Sequence, residues 1–151
     1  MNIKIRPGLL FDIQIIAEFQ VKMALETENI NLDSSVVILG VSAVMDDPSK
    51  GKYWIAEVDG VVVGCLLTLP EWSDWRNGTV LWIHSVYVEM SYRKKGVFKN
   101  LYLHLRQMVN ESKDLRGLRL YVDKTNKAAQ NVYESLDMSA DHYCLYEWMK
   151  S

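Results

Sequence analysis

Val86-Tyr87-Val88-Glu89-Met90-Ser91-Tyr92-Arg93-Lys94-Lys95-Gly96-Val97-Phe98 runs from an apolar strand, through a short basic turn with one glycine, into an amphipathic helix. A turn built from Arg93, Lys94, Lys95 and Gly96 can aim successive backbone N–H groups at one point. That point is also the positive end of the following helix, so it suits a phosphate or pyrophosphate. Gly96 lacks a Cβ and lets an anion approach the backbone. Taken alone, these residues serve equally well as a plain basic connection.

Outward from this stretch the chain divides into regular elements. Upstream, Val80–Glu89 is a nearly continuous apolar strand, as expected where both faces are covered. Before it, Tyr53–Val58 and Val61–Leu69 are strand runs separated by Asp59-Gly60, a strong hairpin signal. Pro70 to Gly78 reads as a loop rich in Trp and acidic residues. Nearer the N-terminus, Asn2–Arg6 alternates as a strand. Leu9, Ile13, Ile16, Val21 and Ala24 recur at helical spacing, and a second helix is expected from Ser35 to Met45, with Asp33 or Ser34 as N-cap. Downstream, Val97, Leu101, Leu105 and Met108 form a one-sided helical stripe. Leu118–Val122 then reads as a strand, Asn126–Leu136 as a helix, and Met138–Tyr143 and Leu145–Met149 as two late strands. The strand–helix–strand unit from Val80 to Val122 is expected to be parallel and right-handed.

At 151 residues the chain is read as one domain, 1–151, able to bury roughly 70% of its unfolded surface. Its net charge of −2 argues against a nucleic-acid surface, because the basic turn is local rather than a stripe. Cys65 and Cys144 sit in strand-like runs without metal-ligand spacing and are expected to be reduced core residues. No apolar run approaches the roughly 18 residues that span a bilayer, and the N-terminus shows no signal-peptide pattern. The expectation is a cytoplasmic protein with no metal, no nucleic-acid partner and no membrane association.

The R-x-x-G pattern of the basic turn, with strand before and helix after, resembles the acyl-CoA-binding turn of the GNAT superfamily of N-acetyltransferases. A second segment, Leu118 to Met138, strengthens the likeness: strand, Asn-containing turn, short helix with Ala and Tyr, then Leu-Asp-Met. It is similar to the family's second acetyl-CoA motif and stands in the right order. The resemblance covers essentially the whole chain and implies an α/β fold, a central mixed sheet flanked by helices.

It also implies acetyl transfer from acetyl-CoA to a primary amine of a small molecule. Acetylation of a protein or peptide amine, or a non-catalytic acetyl-CoA-binding module, are the alternatives. On this likeness the strand matching Leu81–Val88 bulges and splays from the one matching Leu118–Val122. The pantetheine lies in the gap against the main chain of Val86, Tyr87 and Val88, and one N–H polarises the thioester carbonyl. Arg93, Lys94, Lys95, Gly96, Val97 and Phe98 wrap the pyrophosphate, mainly through backbone N–H groups. Phe98 departs from the commoner small residue and is expected to point into the sheet. Asn126 contacts the cofactor, or caps its helix, or does both. Tyr133 stands where a tyrosine protonates the departing thiolate, or is simply a half-buried helix residue. Asp137 stands where relatives often have glycine.

The acceptor side is less specified. His84, two residues before Val86, is expected to share a face with Val86 and Val88 and is a candidate proton relay. A hydrogen-bonded core histidine is the plainer reading. Glu26 and Glu28 end the first helix and are candidates to hold a substrate ammonium, with Glu26 also a candidate base. Two solvated glutamates are the alternative. Trp72 and Asp74, with Trp75, are candidates to flank the amine. The aromatic C-terminus, Tyr143, Tyr146 and Trp148, points to a homodimer through the late strands.

Overall fold

The computed structural model describes residues 1–151. The chain falls into two units, Met1–Arg119 and Leu120–Ser151. The first is a five-stranded mixed sheet whose spatial order follows the chain: β1 (Ile3–Pro7), β2 (Lys52–Val58), β3 (Val61–Ser73), β4 (Gly78–Val88) and β5 (Leu115–Arg119). The first four strands pair antiparallel, and β5 lies parallel to β4. The parallel step needs a crossover, which α3 (Val97–Glu111) provides. No helix is long and apolar enough to cross a membrane.

Asp59 (φ 51°) and Gly60 (φ 77°) both sit left-handed, so the β2–β3 turn has the twist that a two-residue hairpin requires. Pro70 does not end β3, which runs on to Ser73. β2 pairs with β3 only as far as Lys52↔Thr68. Beyond that point β3 pairs with β4 alone, and a proline can occupy the vacant side. The expected Trp-rich loop is therefore a two-stranded arm with a short turn at its tip.

Helices cover both faces. Ile16, Ala17 and Phe19 of α1 (Ile13–Glu28) and Val41 of α2 (Ser34–Asp46) pack with Tyr53, Ile55, Cys65, Leu67 and Tyr87. Trp54, which points to the other face, packs at a tilt with its ring centre 5.0 Å from that of His104 of α3. The buried side of α3 is Val97, Leu101, Tyr102 and Leu105. Asp33 caps α2 by accepting from the Ser35 N–H at 2.9 Å. Asn29, at φ 54°, closes α1. Burial pushes the Cys65 thiol up to about 12, which keeps it an inert core group.

α1 starts four residues later than Leu9, after a 3-10 turn at Leu10–Asp12. The cause is Asp12, which is 1% exposed and accepts from both terminal nitrogens of Arg6, at 2.7 and 2.9 Å, and from the Leu9 N–H. Arg6 also donates from Nε to Glu57 at 2.6 Å. This network fixes the entry of α1 against β1.

The second unit holds α4 (Lys127–Ser135) and no strand. The expected strand at Leu118–Val122 forms earlier, as β5, because its parallel register with Thr79–Trp82 closes at Arg119. The expected late strands do not form. A strand is a strand only when it has a ladder partner, and Tyr143, Tyr146 and Trp148 remain exposed. Cys144 is likewise exposed rather than core. Asp137 takes φ 66° just after α4, which explains why glycine suits that position. Met138 N–H reaches the Tyr133 carbonyl at 3.1 Å and completes the cap.

Candidate active site

β4 is bulged where the chemistry was expected. Cys65 faces Tyr87 and Leu67 faces His84, so two residues, Ser85 and Val86, oppose Leu66 alone. Ser85 takes φ 54°, unusual for a residue with a side chain. The β5 ladder has already stopped at Trp82↔Arg119. Past that pair β4 is held by β3 only, and its other edge from Ser85 to Val88 has no β5 partner.

The bulge corrects the face assignment of His84. Directly opposed residues share a face, and Leu67 packs in the α1 cluster with Tyr87. His84 therefore lies on the Tyr87 side and not with Val88, because the inserted residue breaks the two-residue alternation. Burial holds the His84 imidazole below its ordinary range, which favours its neutral form.

After Val88 the chain makes a 3-10 turn at Met90–Tyr92 and enters the basic turn. Lys94 (φ 61°) and Gly96 (φ 83°) are both left-handed, in the turn that leads into α3. The first N–H groups of any α-helix lack intrahelical partners, so this turn and helix end form a concentrated set of donors. A Cβ on Gly96 would find only Asn100 Nδ2 nearby, at 3.7 Å, so the space above the glycine is open to a ligand. The donor set fits a pyrophosphate. Val97 is buried, whereas Phe98 is half-buried with its ring 6.3 Å from Tyr102, so it packs along the helix rather than into the sheet core.

Arg93 turns away from this cradle. Its Nε donates to the Val88 carbonyl at 2.8 Å, and a terminal nitrogen donates to Glu26 at 2.7 Å. The guanidinium also lies 5.4 Å from the centre of the Tyr87 ring. Glu26 thus stands in an ion pair rather than as an isolated carboxylate. Glu28 is exposed at the end of the same helix. Lys22 pairs with Glu89 at 2.7 Å, one helical turn before Glu26. Lys22 and Glu26 stand four apart on α1, and Glu89 and Arg93 four apart after β4, so the two bridges run side by side.

Trp72 and Asp74 are not brought to this region. Trp72 pairs with Thr79 near the start of β4, and six strand residues on to Ser85 correspond to about 20 Å. In the second unit Asn126 accepts from the Ala129 N–H at 3.1 Å and caps α4. Tyr133 is half-buried, and burial raises its hydroxyl above the ordinary tyrosine range.

A model of the Acetyltransferase (GNAT) family matches residues 20–138. None of the curated proteins matches the sequence. Among solved structures, a possible acetyltransferase from Clostridium difficile 630 is 41% identical, with a TM-score of 0.92, covering 100% of this chain and 99% of that one. The ribosomal-protein-alanine N-acetyltransferase of Brucella melitensis biovar Abortus 2308 shares the fold at 18% identity, TM-score 0.80 and 99% and 100% coverage. So does an aminoglycoside acetyltransferase from an uncultured soil metagenomic sample, in complex with sisomicin, at 17% identity, TM-score 0.77 and 99% and 96% coverage. The chain belongs to the Acetyltransferase (GNAT) family, whose members use acetyl-CoA. It is an acyl-CoA-dependent N-acetyltransferase.

Proposed function

We propose that the protein transfers acetyl from acetyl-CoA to a primary amine of a small molecule by direct attack. The observation that carries this reading is the bulged β4 leading into a left-handed basic turn at the head of α3. Backbone N–H groups from Lys94 to Phe98 bind the pyrophosphate, and Lys94 and Lys95 add charge. The pantetheine lies along the edge of Val86, Tyr87 and Val88 as an added strand. An N–H at the bulge donates to the thioester oxygen as negative charge develops on it.

The amine nitrogen attacks the carbonyl carbon, a C–N bond forms and the C–S bond breaks. The Tyr133 hydroxyl gives its proton to the departing thiolate, and solvent restores it. The ammonium proton leaves to water, with His84, neutral and on the Tyr87 face, as the nearest protein relay on β4. Asn126 caps α4 and offers its remaining donors to the cofactor.

A peptide amine is the second reading. The Trp72–Asp74 arm departs from the opposite end of β4, so it does not close the bulge region against an extended chain. The cytoplasm is the compartment this reading fits.

Titration calorimetry with acetyl-CoA, against adenosine, tests the central claim. Wild type should bind acetyl-CoA at micromolar concentration and adenosine far more weakly. Gly96→Val places a β-branched residue at φ 83° and a side chain in the anion's path, so affinity should fall about 100-fold. No binding of acetyl-CoA at millimolar concentration would reduce the turn to a connection.

We also propose a homodimer in which the exposed run of Tyr143, Leu145, Tyr146, Trp148 and Met149 is covered by a second copy. Light scattering at micromolar concentration should give twice the mass of one chain, and a single-chain mass would refute it.

A further inference from the structure

The Arg93 side chain points back under the turn rather than out toward a ligand. Its planar fork makes two directed bonds, Nε to the Val88 carbonyl and a terminal nitrogen to Glu26. One bond closes the loop from the end of β4 to the start of the basic turn. The other fastens that loop to the last turn of α1. Lys22 and Glu89 make a parallel tie one helical turn away, at 2.7 Å. Glu89 is itself anchored, its N–H donating to Val63 of β3 at 2.8 Å. With the guanidinium over Tyr87, the Arg93 side chain joins the basic turn to both β4 and α1.

We infer that Glu26 and Arg93 are positioning residues: together they staple the pyrophosphate turn, and the anion is bound by the backbone they orient rather than by the Arg93 charge. This rests on the acetyl-CoA reading above and assigns Glu26 a role that neither a base nor an ammonium clamp would have. Both side chains are about one-third exposed, so the bond is held by its geometry as much as by its charge. Geometry therefore separates the two possible roles of Arg93. In glutamine the side-chain nitrogen occupies the position of Arg Nε, so it can still donate to Val88 while carrying no charge. Lysine keeps the charge but has no planar donor at that point.

The test is calorimetry of the full chain with CoA, using Arg93→Gln, Arg93→Lys, Glu26→Ala and the Glu26→Ala/Arg93→Lys double variant. Thermal melts confirm that each variant folds. R93Q keeps the Val88 bond and loses the Glu26 bond, as E26A does, so these two should weaken CoA by about the same factor, roughly threefold. R93K, which loses the planar donor to Val88, should weaken it about tenfold. Because R93K has already lost the directed fork, removing Glu26 as well should cost little more than R93K alone. Should E26A fail to fold, the order of R93Q and R93K still gives the answer. R93K binding as well as or better than R93Q would make the guanidinium a direct phosphate ligand and overturn the staple. So would unchanged CoA affinity in a folded E26A. If wild type itself fails to bind CoA, the transferase reading falls and the staple falls with it; wild-type binding with the wrong variant order sinks the staple alone.

Discussion

Replacing Tyr133 with phenylalanine is expected to slow CoA release by roughly 10²–10⁴-fold while leaving acetyl-CoA affinity close to wild type. A thiolate leaves with a proton more readily than without one, and the variant removes only the hydroxyl. Burial raises the Tyr133 pKa, so the acid is in its protonated form throughout the neutral range. The wild-type rate should therefore show no Tyr133-linked loss until the solution is strongly alkaline, where the hydroxyl ionises. In the variant that alkaline step should vanish along with most of the rate. Free thiol appearing at the wild-type rate in Y133F would remove Tyr133 from the mechanism.

The second large effect concerns folding. Asp12→Ala is expected to destabilise the protein by about 3 kcal/mol, because it strands a mostly buried guanidinium that Glu57 alone cannot satisfy. For a chain of this size that corresponds to a fall in Tm of roughly 10 °C. The pH dependence has a definite sign. Burial pushes the Asp12 carboxyl up, but the Arg6 fork and the Leu9 N–H outweigh it and hold the carboxyl below its ordinary value. A depressed carboxylate stabilises above its unfolded pKa of about 3.9 and loses that contribution as pH falls through the folded value. Melting curves should thus separate wild type from D12A fully at pH 7, with the gap narrowing only below about pH 4. A gap of less than 2 °C at neutral pH would mean that Arg6 is adequately held elsewhere.

Much of the scaffold was written in local chemistry. Asp59-Gly60 specified its turn, Asp33 its cap, and the stripe from Val97 to Leu105 its buried face, because each depends on a few neighbouring residues. The basic turn was legible for the same reason. The placing of the bulge at Ser85 was not: the family resemblance implied a bulge in this strand but not where it falls. A single inserted residue leaves no compositional mark, yet it moves His84 to the other face of the sheet. Glu26 illustrates a different blind spot: two exposed-looking charges, far apart in the chain, gave no local sign that they meet. Late strands were expected because Tyr143 to Trp148 has strand composition, but composition cannot supply a partner. Trp72 and Asp74 were placed by their proximity in sequence to β4. The pairing of Trp72 with Thr79 shows that they stand at the wrong end of it.

α1 is anchored at both ends. Asp12, immediately before it, grips Arg6 of β1, and Lys22 and Glu26 near its end grip the segment after β4. A helix fixed in this way behaves as a gauge block between the outermost strand and the basic turn. Adding or removing one residue within it would rotate one anchor by about 100° relative to the other, so both could not engage at once. Asn29–Asp33, which follows the second anchor, carries no such constraint. Changes in the connection after α1 can thus be accommodated without disturbing the spacing between the two anchors.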